Sequence, residues 1–236
     1  MTMLSVIQKG IDFIEANLQS DIGVADVANA ACYSQFYFSR QFSMHTHISV
    51  YDYILKRKLS EAYKTLFSEA PRILDLALQY GFQSHEVFTR AFRKMFGENP
   101  SEASAYKPLL VYERIDEHYL NFLADLKINV VNHSYPNCFF EVNSTAECDE
   151  DCSLMILSEN LLSPHMMLSG HLKTDAGRNL CFKLESLKTV LHIHHTDIKR
   201  SIRYFTDNFY DPDRMTSNFI LIDKAADNID FILPKI

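Results

Sequence analysis

The first half of this 236-residue chain contains one pattern twice. At an offset of 49, Val24, Val27, Ala28, Ala31, Cys32 and Tyr33 fall on Ile73, Leu76, Ala77, Tyr80, Gly81 and Phe82. One extra residue, Gln83, moves the offset to 50, and Ser34, Phe38, Arg40 and Phe42 then fall on Ser84, Phe88, Arg90 and Phe92. Each copy reads as a short helix with a small Ala where a second helix must cross closely, a tight turn, a Ser in N-cap position, and that second helix. Two helix-turn-helix units in register leave no room for a sheet between residues 20 and 100.

Within each second helix the residues sort by face. Phe38 and Phe42, like Phe88 and Phe92, stand four apart and are expected to anchor the helix on a core. The opposite face carries Gln35, Phe36, Ser39 and Arg40 in the first copy, and His85, Glu86, Thr89 and Arg90 in the second, with Arg93 and Lys94 one turn on. These side chains suit base edges and phosphates of double-stranded DNA: Arg pairs with guanine, Gln with adenine, and Phe or Thr packs on a thymine methyl. A helix over residues 49–66 would span about 27 Å, against about 34 Å between successive major-groove faces of B-DNA. It could hold two reading helices in adjacent grooves, with its Lys56-Arg57-Lys58 run placed where it can meet phosphate or simply form a solvated face.

Charge divides the chain near residue 108. Residues 1–108 carry 11 Lys+Arg and 11 Asp+Glu, so the whole formal charge of -7 belongs to residues 109–236. The pattern changes there too. Helical spacing, as in Val6, Ile7, Ile11, Ile14 and Leu18, gives way to short β-branched or aromatic runs at 127–131, 138–142, 189–193, 219–222 and 229–233. The expected fold class is therefore multi-domain, α and α+β: an all-helical domain over 1–108, then an α+β domain with a smaller sheet over 109–236. No apolar run is long enough to span a bilayer, and five cysteines without scaffold spacing fit reduced thiols, so a cytoplasmic protein without a membrane partner is expected.

Residues 5–108 resemble the DNA-binding domain of the AraC/XylS family of bacterial transcription regulators. The resemblance rests most specifically on Tyr80-Gly81-Phe82, Ser84, Phe88-Thr89-Arg90, Phe92, Phe96-Gly97 and Pro100-Ser101. It implies two helix-turn-helix motifs on a shared long helix, with Arg40 and Arg90 as the foremost major-groove contacts and Gln35, Phe36, Ser39, His85 and Thr89 beside them. It also implies a transcriptional activator, with RNA polymerase as a partner. Three positions depart from the family pattern. Cys32 replaces a turn Gly, so that turn must avoid positive φ or accept strain; Val50 replaces a Pro at a helix start; Glu86 would face DNA, repelling phosphate unless it accepts from a cytosine amine.

DNA-first order resembles the Rob-like branch of the family, whose second domain is a GyrI-like ligand-binding fold of two β-α-β-β halves. Strand 189–194, helix 198–209, strand 218–222 and strand 229–233 fit one half; between Phe140 and Met155 the sequence offers an acidic loop instead of a helix. Glu141 and Glu185 are candidate ligand-binding residues for a cationic small-molecule effector, and a protein effector is the other option. His192 with His194, and Cys148 with Cys152, lack partners at metal-site spacing, so no metal and no cofactor are expected. No phosphate loop, nucleophile elbow or His-Glu-x-x-His pair is present, so no enzyme is expected. The alternatives to an effector-modulated regulator are a regulator whose second domain only binds proteins, and a metal-dependent enzyme fused to a helical module.

Overall fold

The computed structural model describes residues 2–103, 111–134, 139–147, 154–158, 166–173, 181–183, 187–195, 197–209, 219–224 and 229–233. It divides into two compact units, Met1–Asp125 and Leu126–Ile236. The division falls later than the break expected at residue 108. Residues 111–125 supply core to the helical unit, with Tyr112, Ile115, Tyr119, Leu120, Phe122 and Leu123 all buried.

The first unit contains α1 (Met3–Ala16), α2 (Val24–Ala30), α3 (Gln35–Thr46), α4 (Val50–Glu69), α5 (Ile73–Gln79), α6 (His85–Phe96) and α7 (Glu117–Asp125). Val6, Ile7, Ile11 and Ile14 form the buried stripe of α1. Gly10 lies on the same stripe because a Cβ there would run into the Phe38 ring, so α3 seats against bare backbone.

The repeat in sequence is a repeat in backbone. The Tyr33 amide donates to the Ala28 carbonyl at 3.0 Å, and the Phe82 amide to the Ala77 carbonyl at 2.9 Å. Ser34 and Ser84 cap α3 and α6, accepting from the Tyr37 and Val87 amides at 3.4 and 3.3 Å. Both helices end on a left-handed residue, His47 (φ 60°) and Gly97 (φ 76°). Phe38, Phe42, Phe88 and Phe92 are fully buried, each contributing about 1.5–3 kcal/mol of burial. Cys32 adopts φ 63° at the position where Gly81 has φ 73°, so the first turn accepts the strain that glycine avoids in the second.

Helix α4 joins the copies. Ser49 caps it, accepting from the Asp52 amide at 3.0 Å, which starts the helix without a proline. Its 20 residues span about 30 Å. On the second copy's side, Tyr63 of α4 stacks on Phe92 and Phe96 of α6, with ring centroids 5.7 and 4.3 Å apart.

The second unit has β1 (Ile128–Ser134), β2 (Phe139–Glu147), β3 (Leu154–Ser158), β4 (Met166–Lys173), β5 (Cys181–Lys183), β6 (Leu187–Ile193), β7 (Phe219–Lys224) and β8 (Ile229–Leu233). They form one sheet in the order β1-β6-β8-β7-β3-β4-β2-β5, antiparallel at each described pairing. Helix α8 (Ile198–Asn208), capped by Asp197, lies between β6 and β7 in the chain and buries Ile202 and Phe205. Among the described residues the sheet holds eight strands, against the smaller sheet expected. Strands β3 to β5 mix Met, Leu, Ser and Gly with few β-branched residues, so ladder pairing rather than local propensity makes them strands. The stretch after Phe140 that reads as an acidic loop continues instead as β2 to Glu147, with a register shift between Val142 and Ser144.

Candidate nucleic-acid interface

Helices α3 and α6 each bury one face and expose the other. On α3, Gln35, Phe36 and Arg40 are exposed, Phe36 at 80%, while Ser39 is half-buried. On α6, His85, Glu86, Arg90, Arg93 and Lys94 are exposed, and Thr89 is half-buried with its Oγ1 covered. Phe38 and Phe42, or Phe88 and Phe92, hold the inner face, so the outer residues project from a helix whose rotation is set by packing. The fold therefore brings the expected residues onto two equivalent helix faces, eight of ten of them open to solvent. The covered Thr89 hydroxyl has no hydrogen-bond partner among the described residues.

The two faces differ in chemistry. Tyr33 and Tyr37, exposed at 38% and 42%, stack with centroids 5.5 Å apart beside Phe36. The first face is thus an aromatic surface with one guanidinium, suited to thymine methyls and one guanine. The second carries Arg90, Arg93 and Lys94, suited to guanine and phosphate; the latter two also complement the helix C-terminus. Tyr33 escapes the sequence reading because it aligns with buried Phe82, which makes it look like core.

Glu86 has a local role that the sequence does not show. A hydrogen bond from the Ser84 side chain holds its carboxyl below the usual carboxylate range, in the first turn of α6 where negative charge is favoured.

The Lys56-Arg57-Lys58 run, read from sequence as phosphate-facing or a solvated face, is neither: Arg57 and Lys58 are buried and Lys56 is half-buried. Arg57 donates through Nε and Nη2 to the two oxygens of Glu15, each at 2.8 Å, through Nη2 to Glu61 at 2.9 Å, and through Nη1 to the Tyr112 carbonyl at 2.6 Å. Burial opposes its charge, yet the Glu15 hydrogen bond and the carboxylates raise its pKa further. Tyr53 donates to Glu15 at 2.8 Å, and burial together with that carboxylate pushes its hydroxyl far up. Lys58 donates to the Ser20 carbonyl at 2.6 Å, and burial lowers its pKa. Lys56 lies 5.0 Å from the centroid of the Tyr112 ring. A helix that packs on both sides has no solvated face to spare at its middle.

In the second unit Glu141 lies on β2, in register with His171 of β4 and Cys181 of β5. Glu185, Cys148 and Cys152 lie outside the described residues. Among the described residues no group of three metal-ligating side chains occurs, and no helix is long and apolar enough to cross a membrane.

A helix-turn-helix domain model matches residues 27–105. Over 94 residues the chain is 40% identical to the HTH-type transcriptional regulator YbfP of Bacillus subtilis, covering 40% of this chain and 32% of YbfP. It is 34% identical over 151 residues to the transcriptional regulator Rob of Salmonella typhimurium, covering 60% of this chain and 52% of Rob. It is 38% identical over 97 residues to the transposon Tn10 TetD protein of Escherichia coli, covering 41% of this chain and 70% of TetD. The chain thus spans about a third of YbfP and about half of Rob. A solved transcriptional regulator with an AraC-type DNA-binding domain, from Chromobacterium violaceum, is 23% identical with a TM-score of 0.40, covering 42% of this chain and 88% of that one.

Proposed function

The chain belongs to the AraC/XylS family of helix-turn-helix transcriptional regulators, and on that footing we propose that it binds one asymmetric DNA site as a monomer, with α3 and α6 in adjacent major grooves. The observation that carries this reading is the pair of repeat-related helices, each anchored by two buried phenylalanines, on an α4 of 20 residues. Its length of about 30 Å is close to the groove repeat of about 34 Å. Each monomer holds both readers and needs no two-fold partner to cover two turns. Selection of bound duplexes from a random pool, followed by footprinting, tests it. A single asymmetric footprint of about two turns is expected; a palindrome with one helix-turn-helix per half-site overturns it.

The second unit is the regulatory one in this reading. Similarity to Rob covers 60% of the chain, more than the residues of Met1–Asp125 hold, and so reaches past the DNA-binding unit. A small-molecule or protein effector acts there, with Glu141 and Glu185 as the acidic candidates for a cationic one, and the bound protein activates transcription by RNA polymerase. Thermal shift of the full chain against cationic small molecules tests the effector, and run-off transcription from a selected site tests the sign.

A further inference from the structure

Residues 111–125 run as a strap alongside α4, from one helix-turn-helix to the other. Val111 is buried in the core of the second copy with Tyr63, Phe92 and Phe96. The next residue docks on the middle of α4: the Tyr112 amide donates to Ser60 Oγ at 2.8 Å, and Arg57 grips its carbonyl. The Ile115 amide then donates to Tyr53 at 3.3 Å, Arg114 pairs with Asp12 of α1 at 2.7 Å, and α7 reaches the end of α3, where His47 Nε2 lies 3.0 Å from the Leu123 carbonyl. On the other side of α4, Lys58 Nζ meets the Ser20 carbonyl of the α1–α2 loop. A Cβ on Gly81, in the turn of the second copy, would lie 3.0 Å from that Nζ and 3.1 Å from that carbonyl oxygen. The α1–α2 loop and the turn of the second copy thus meet across Lys58.

We propose that Arg57 and Lys58 are positioning residues for DNA reading: with the strap they lock the two reading helices at one separation and rotation, and so determine which spacing between the two half-sites the protein accepts. Neither residue touches DNA. The proposal rests on the two-groove reading above, and one of its tests needs no DNA. Two buried hydrogen-bonded cations at successive positions of one helix, Arg57 tied to α1 and the strap and Lys58 to the α1–α2 loop beside Gly81, restrain the rotation of α4 between the copies.

The test uses the full chain with bio-orthogonal spin labels at exposed Met44 of α3 and exposed Lys94 of α6. Lys58→Met removes the donor while keeping the stem, and Arg57→Lys keeps the charge while losing the fork; thermal unfolding establishes that each is folded. Wild type is expected to give one narrow distance distribution, and either folded variant a broadened or shifted one. On DNA, inserting one base pair between the half-sites of a selected duplex rotates one against the other by about 35°. Wild type is expected to lose on the order of tenfold or more in affinity, as for a mispaired contact, and the variants less than about threefold. A purely structural role would lower affinity for both duplexes alike. A broad distribution in wild type overturns the proposal, as do folded variants with wild-type width and wild-type spacing discrimination. A narrow wild-type distribution in a chain that selects no DNA overturns the DNA reading and, with it, the claim on spacing, while leaving the lock itself standing.

Discussion

Position 32 shows how one residue can keep a fold at a cost. Cys32 and Gly81 occupy the same turn of the two copies at φ 63° and 73°, where a side chain costs roughly 1–2 kcal/mol. Cys32→Gly is therefore expected to raise the stability of the full chain by about 0.5–1 kcal/mol in urea unfolding. Gly81→Ala should lower it by at least about 1 kcal/mol, since strain is joined by the approach of Lys58 and Ser20. No gain in Cys32→Gly, or no loss in Gly81→Ala, would show that positive φ is not what distinguishes the two turns. For the readers, Arg40→Ala and Arg90→Ala are each expected to weaken binding to a selected site by about 1–3 kcal/mol without changing thermal unfolding, because both side chains are exposed and hold no core together. Titration against matched and base-substituted duplexes separates lost discrimination from lost charge.

At the scale of elements, α4 joins packing to electrostatics. Arg57 is 5% exposed and Glu15 faces it at 2.8 Å, so Arg57→Met leaves a buried carboxylate without its cation and should cost about 3–5 kcal/mol. Glu61 adds a pH signature. Burial raises its pKa, but the Lys64 hydrogen bond and the two neighbouring cations outweigh that and bring it below the usual range. A carboxylate depressed in the folded state stabilises above its unfolded pKa, and that stability is lost as pH falls through the folded value. Glu61→Gln should therefore be less stable than wild type at pH 7, with the gap closing below about pH 4; a gap independent of pH would assign its role to packing. How much of this was legible beforehand follows from periodicity. The phenylalanines at four-residue spacing, the Ser caps and the alanine crossings announce α2, α3, α5 and α6, because local geometry alone demands them. The inward turn of Arg57 and Lys58 was not legible, since their partners Glu15, Tyr112 and Ser20 lie 38 to 55 positions away. Strands β3 to β5 escaped for the same reason, being set by their neighbours in the sheet.

For the whole molecule, the charge break at residue 108 and the structural break at Asp125 separate two questions that sequence merges. A fragment of residues 1–108 keeps every proposed DNA contact and sheds the acid of the second unit, which by charge alone would favour binding. It also loses Tyr112 and the buried face of α7, and leaves Arg57 one acceptor short. We expect fragment 1–125 to unfold cooperatively near the temperature of the helical unit in the full chain, and fragment 1–108 to unfold at least several degrees lower. Indistinguishable melting of the two would remove the strap from the core. On the proposed two-groove reading, bracing on both sides of α4 would also make the unit a torsion gauge. Two stiff jaws a turn apart would accept one pitch of the double helix, so the energy of seating them would depend on how far the DNA is over- or underwound. Occupancy is then expected to follow superhelical density, peaking at one linking number on a series of topoisomers and flattening in Lys58→Met, so that gene control by this chain would answer to the mechanical state of the chromosome as well as to its sequence.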